Sequence, residues 1–332
     1  MLFTEDNFRD GELKMLIPVS TGLSWPRLAP SLAAAEHDYL HPLLGDRLHT
    51  EMTGIYLRER TTRSKAEQEA LLWAKRAVAN LAIWSHFDAL NLRITDQGFQ
   101  RQMSDDWQPA YKYQEDALRK QFANEGFNAL DRLLETLETY RTEFQALPTS
   151  PAWAQSRRDI VRSTAEIQDI YDIHSSRIIY LRMMPVMRQI QELTLQPILG
   201  DTLYEGLQKW LQNDLRELNG HIYPDSIWET LRDKCRKVMV MATVLQLLRT
   251  TGSVTDRGAF FSQTTAAGGG NESSSPIPDT RLQLMINDAE KALKGYTARL
   301  TTWVSTHMAD VAGGSALRVL DHDNDNRAAF WA

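Results

Sequence analysis

The stretch Arg27–Leu48, RLAPSLAAAEHDYLHPLLGDRL, aligns without a gap to Arg182–Leu203, RMMPVMRQIQELTLQPILGDTL, at an offset of 155 (182 − 27). Arg27/Arg182, Pro30/Pro185, Leu40/Leu195, Pro42/Pro197, Leu44/Leu199, Gly45/Gly200, Asp46/Asp201 and Leu48/Leu203 are identical, far more than the one or two matches, roughly, that background composition gives. An internal repeat of this length predicts two copies of one folding unit. The correspondence continues where Ile94–Gly98, ITDQG, answers Val254–Gly258, VTDRG, now at an offset of 160 (256 − 96). Five residues are therefore inserted between, and the turn-forming Asn219-Gly220-His221 marks the loop that takes them up. The boundaries that follow are 1–157 for copy one and 158–332 for copy two.

Each copy reads as mainly helical. Thr4-Glu5-Asp6 and Ser163-Thr164-Ala165-Glu166 look like helix N-caps, the second a capping box. A helix is expected to begin near Pro30 or Pro185 and to stop at the Pro-x-Leu-Gly-Asp element. There Gly45 and Gly200 suit a left-handed cap, and Asp46 and Asp201 suit the N-cap of the next helix. Long helices are predicted over Lys65–Leu90 and Ser226–Thr250, with Leu72, Val78, Leu81, Ala82, Leu231, Val238, Met241 and Leu245 as core positions. A short β-prone segment with an Asp-x-Gly turn follows in each copy, as a hairpin or strand edge. Last helices over Tyr111–Phe144 and Asp279–Met308 close the copies, with Gly126 read as a bend. The fold class is thus mainly α, two tandem copies of a helical module, each with a short β-hairpin or strand segment. Ser262–Pro278 is too rich in Gly, Ser and Pro to order itself by burial and reads as a mobile loop. A C-terminal arm over 309–332 carries Phe330 and Trp331, aromatic groups that are costly to leave in water and therefore suit a groove.

Composition narrows the function classes. One cysteine, Cys235, excludes an intramolecular disulfide and fits a reducing compartment. The opening MLFTEDNFRDGELK lacks the basic start and apolar run of a secretory signal, so the chain reads as cytoplasmic when made. No apolar run approaches the length of a membrane span. A net charge of -6 argues against a surface that coats DNA, and the basic strips Arg58, Arg60, Arg63, Lys65 and Lys234, Arg236, Lys237 read as solvated helix faces.

Catalytic and metal patterns were sought residue by residue. Asp321-x-Asp323-x-Asp325 imitates the start of a calcium loop, but Asn326 stands where that loop needs Gly and Ala332 where it needs Glu. His37 and His41 have helical i, i+4 spacing without a third ligand on their face, and copy two has Gln196 opposite His41. Phosphate-loop, nucleophile-elbow and dinucleotide fingerprints are missing from the sequence. Cys235 lies among Lys234, Arg236 and Lys237 but on a core helix, which favours an inert thiol. Trp107, Tyr111 and Tyr113 are read as covering the start of the last helix of copy one. No catalytic residue, cofactor or metal is expected, and the chain reads as a non-enzyme. The residues expected to meet partners are Asp96, Gly98, Asp256, Gly258, Phe330 and Trp331.

The leading helix, the corner from Ala35 to Gly45, the long Ala/Leu helix and the Asp-x-Gly segment together resemble the head-to-tail connector (adaptor) proteins of tailed bacteriophages. The block Tyr111–Glu138, YKYQEDALRKQFANEGFNALDRLLETLE, looks like an uncharacterised family of Bacteroides-type bacteria and their phages. The resemblance implies a virion protein, assembled in the cytoplasm of the bacterial host. It would form a homo-oligomeric ring against portal and tail proteins, with DNA passing through a channel without sequence-specific binding. A tandem copy departs from the single-module pattern, since one chain then fills two module positions. Two other readings stand beside this one: a bacterial helical scaffold or regulatory protein that binds other proteins through its helix faces, and an enzyme whose site is assembled from distant residues.

Overall fold

Apolar side chains 155 positions apart enter two separate cores. Leu28 and Met183, Leu32 and Met187, Leu40 and Leu195, Leu44 and Leu199, and Leu48 and Leu203 are all buried, the first of each pair in one cluster and the second in another. Burying such a side chain stabilises by about 1.5–3 kcal/mol, so each copy has its own driving force for collapse. The computed structural model describes residues 2–9, 11–17, 24–95, 98–101, 111–215, 217–251, 261–265, 272–276, 279–309 and 311. It divides into two compact units, the first running to Gln155 and including Ser175–Ile178, the second comprising Ser156–His174 and the chain from Ile179 on.

In unit one, α1 (Glu5–Arg9) and α2 (Glu12–Leu16) lead into α3 (Trp25–Ala35), a π turn (Glu36–Leu40) and α4 (His41–Leu57). Next come α5 (Lys65–Ser85), α6 (Phe87–Asn91), the strands β1 (Leu92–Thr95) and β2 (Gly98–Arg101), α7 (Lys112–Thr139), and α8 (Pro151–Arg158), which crosses the unit boundary. Ser64 starts α5 with a capping box, its side chain accepting from Glu67 N–H while Glu67 accepts from Ser64 N–H. β1 and β2 pair antiparallel, Thr95 opposite Gly98.

The packing of α5 against α7 dominates this unit. Gly126 does not bend α7, which runs through it without interruption. It is a notch: a β-carbon there would lie 2.7 Å from Leu81 Cγ. Of the expected core positions Val78, Leu81 and Ala82 are buried, whereas Leu72 is 39% exposed and its neighbour Leu71 takes the inward place. Adjacent helical positions point about 100° apart, and at this end of α5 only one of the two leucines turns inward.

In unit two, α9 (Thr164–Gln168) precedes α10 (Arg177–Ile190), a second π turn (Gln191–Leu195), α11 (Gln196–Leu199) and α12 (Asp201–Leu211). The long α13 (Asp225–Thr251) packs along α14 (Asp279–His307). Ser163 caps α9 by accepting from Glu166 N–H, but the Glu166 carboxylate reaches back to Arg162 N–H instead of closing a box on Ser163. The link from α12 to α13 is longer than the link from α4 to α5. It carries a two-residue turn in which Asn219 (φ 50°) and Gly220 (φ 77°) join Leu218 and His221, hydrogen-bonded in both directions. This places the inserted residues where the change of offset puts them.

The expected mobile loop 262–278 holds backbone pairing at both its ends. β3 (Phe261–Thr265) and β4 (Glu272–Pro276) form an antiparallel ladder. A ladder satisfies main-chain groups without burying side chains, so Ser and Thr suffice for it. Of the expected C-terminal arm only Ala309 and Val311 are described, and Val311 is buried in the unit-two core. Among the described residues no helix is long and apolar enough to cross a membrane.

Candidate functional site

Both copies change helix direction by the same device, and it begins with proline. Pro30 and Pro185 sit inside α3 and α10, not at their starts. Proline is favoured in a first turn, but here packing of the flanking apolar residues carries the helix past it. Six positions on, each helix widens into a π turn, Glu36–Leu40 and Gln191–Leu195, again 155 apart. Such single-turn expansions concentrate at functional positions.

After the π turn, Pro42 and Pro197 occupy the opening of the next helix, and a glycine then breaks it. Gly45 has φ 68°, ψ 171° and Gly200 has φ 76°, ψ 155°. Both have the expected positive φ, yet the extended ψ differs from a left-handed cap and falls in a region that only glycine enters without strain. At Gly45 a β-carbon would also lie 2.9 Å from Pro151 Cδ. Gly200 takes the N-cap place of α12, so Asp201 is the first helical residue and not the cap. Its charge still complements the helix N-terminus.

The polar contacts of the two corners fall at matching positions although the residues differ, and at the π turn one bond runs in the opposite direction. In unit one His41 Nε2 lies 2.9 Å from Asp46 Oδ1. In unit two, 155 positions on, Gln196 Nε2 donates to Asp201 Oδ1 at 2.9 Å. At the opening of the π turn stands a buried polar residue, Glu36 (5% exposed) or Gln191 (7% exposed). Glu36 Oε2 accepts from Leu2 N–H at 2.8 Å and its Oε1 from His49 Nε2 at 2.8 Å. Gln191 Oε1 accepts from Ile160 N–H, while its Nε2 donates to Tyr204 Oη and Arg158 O, each at 3.4 Å. His49 and Tyr204 are themselves 155 apart, and Leu2 and Ile160 each belong to a buried pair that precedes the first helix of its unit. Burial pushes the Glu36 carboxyl up. The His49 hydrogen bond, the Leu2 N–H, the amino-terminal charge and the His49 charge outweigh it and hold the group below its ordinary 4.5.

A family model described as a family of unknown function (DUF6712) matches residues 40–157 and again 195–310. The chain belongs to this family. The two DUF6712 matches start at Leu40 and Leu195, the last residues of the two π turns, so the tandem duplication seen in the residues and in the two cores is also a duplication of the family unit. No curated protein and no solved structure matches the chain.

The other sequence candidates fall in different places. Asp96, Asp256, Gly258, Phe330, Trp331, Trp107 and the Asp321–Asp325 run lie outside the described residues. Gly98, the one expected partner-contact residue that is described, opens β2 opposite Thr95. Tyr111 and Tyr113 stack on each other at 5.8 Å and are 67% and 53% exposed, so they do not cover the start of α7. The His37 ring stacks on His41 at 6.0 Å, and His41 meets His49 at 5.4 Å. Among the described residues no group of three or more His, Cys, Asp or Glu could hold a metal ion.

Arg58 and Arg63 of the first basic strip, and all three residues of the second, are engaged locally. Arg63 donates to the carbonyls of Tyr56 and Arg58 at the end of α4, and Arg58 pairs with Glu67. Lys237 and Arg236 pair with Asp233, and Lys234 lies over the Trp303 ring. Burial pushes the Asp233 carboxyl up, but the Lys237 hydrogen bond and the charges of Lys237 and Arg236 hold it below its usual range. An open groove of about 370 Å³ between α5 and α7 is walled by Trp73 and Tyr140, with Arg132 and Glu135 paired at 2.8 Å on its rim. The repeated corner, invisible as chemistry in the sequence, is thus the most elaborated polar arrangement shared by the two units. The signal that could have found it is the fixed 155 spacing of Glu36/Gln191 and His49/Tyr204.

Proposed function

We propose that this DUF6712 protein is a structural virion component, a head-to-tail connector or adaptor subunit that bridges portal and tail in a tailed phage, each chain filling two module positions of a ring. The observation that carries the reading is the corner. Its hydrogen bonds are kept in both copies while the groups that make them change from His to Gln, from Glu to Gln and from His to Tyr. Selection on catalysis preserves reactive groups; selection on assembly preserves backbone direction, and it is direction that these copies share. The resemblance of the corner and the Asp-x-Gly segment to connector proteins supplies the partners. The net charge of -6 suits a ring through which DNA passes without adhering.

Negative-stain imaging of the purified chain mixed with a portal protein from the same genome tests the reading. The expected result is a ring seated on the portal, with twice as many module densities as chains. A chain that neither forms nor caps a ring overturns it.

A further inference from the structure

We propose that Glu36 is a proton-operated latch on the N-terminal segment of the first module, and that Gln191 is a proton-insensitive version of the same latch in the second. The two side chains hold equivalent places at the opening of a π turn and grip equivalent backbone, Leu2 N–H and Ile160 N–H. Their chemistry differs in one respect. A carboxylate only accepts, and both Glu36 oxygens face donors, one from Leu2 and one from His49. Protonation turns one oxygen of this buried carboxyl into a donor pointed at a donor. Gln191 combines an acceptor for Ile160 N–H with a donor for Tyr204 Oη and Arg158 O, so its set is complete without charge and has nothing to titrate.

The segment held is apolar. Leu2, Phe3, Leu13 and Ile17 are all buried, so losing the Leu2 contact loosens the unit-one core from its edge. The charged surroundings set the direction. On α4 are His49, paired with Glu36, and His41, whose ring is 5.4 Å from His49 and whose Nε2 faces Asp46. On the π turn is His37, which faces Asp38 at 3.0 Å, and the amino-terminal charge also favours the ionised carboxyl. Each imidazolium, once formed, adds to that preference. Because the folded protein holds the Glu36 carboxyl below 4.5, the stabilisation it gives is complete above that value and is lost as pH falls through the folded one.

Amide hydrogen exchange of the full chain, followed by mass spectrometry from about pH 7 to about pH 3 and corrected for intrinsic rates, tests the latch. Peptides over residues 2–9 should lose up to about tenfold protection for each unit of pH between the ordinary carboxyl value and the lower folded one, and level off below it, while peptides over 160–168 keep theirs. Glu36→Gln should make the first segment as flat as the second. If that variant does not fold, Gln191→Glu carries the test, and it should transfer the acid response to residues 160–168. An equal acid response of the two segments in the unaltered chain, a response that survives Glu36→Gln, or a Gln191→Glu chain without one overturns the proposal.

Discussion

Gly126 on α7 faces Leu81 on α5 so closely that a β-carbon would come within 2.7 Å of Leu81 Cγ and 3.2 Å of the Leu81 amide nitrogen. The backbone atom cannot swing aside as a side chain can. Gly126→Ala should therefore destabilise unit one, because overpacking costs about 1–3 kcal/mol and the helix propensity gained returns only about 1 kcal/mol. Urea unfolding reads this as a lower midpoint at constant slope; a raised midpoint would contradict the notch.

Gly45 and Gly54 lie on the same stretch of chain and should respond in opposite directions. Gly45→Ala meets a positive φ and Pro151, and should cost about 1–3 kcal/mol. Gly54→Ala has open space around it in a regular helix, and should stabilise by about 0.4–1 kcal/mol. Thermal melting of the two variants side by side decides it, and the same sign for both is the failing result.

Asn80 is buried in the middle of α5, where its amide donates to Arg76 O and its Oδ1 has no partner among the described residues. The equivalent place in α13 is Val240, also buried. Asn80→Val should stabilise the chain by about 1–3 kcal/mol, because it removes a buried acceptor left unsatisfied. A clear loss of stability in chemical denaturation would show that Asn80 is held by more than its helix.

Cys235 is fully buried in α13, and burial pushes its thiol well above the ordinary range. The native chain should resist a thiol reagent at pH 8 and react in full once denatured, at a rate set by opening of the helix. Prompt labelling of the folded protein would place this sulfur at the surface.

The duplication was legible because helix-facing apolar residues and the positive-φ glycines recur at one fixed spacing, and those are the residues whose type a fold constrains most. Leu72 was misplaced because periodicity alone does not say which of two adjacent leucines turns inward. Pro30 and Pro185 were read as helix starts from local preference, and tertiary packing overrode it. The Glu36–His49 contact could not be read at all. It spans thirteen positions across a π turn, and a buried glutamate has no local pattern that separates it from the exposed glutamates around it. His41 and Gln196 hid a shared bond behind unlike names.

The paired π turns also bear on how the duplication arose. A π turn carries one residue more than the helix around it, and removing that residue would swing the helix that follows by about 100°. Leu44 and Leu48, or Leu199 and Leu203, would then leave the core they now fill. Both halves carry the extra residue at the same place, as they would if it stood in a single module before that module was copied, and in each half it sets the facing of the leucines that follow.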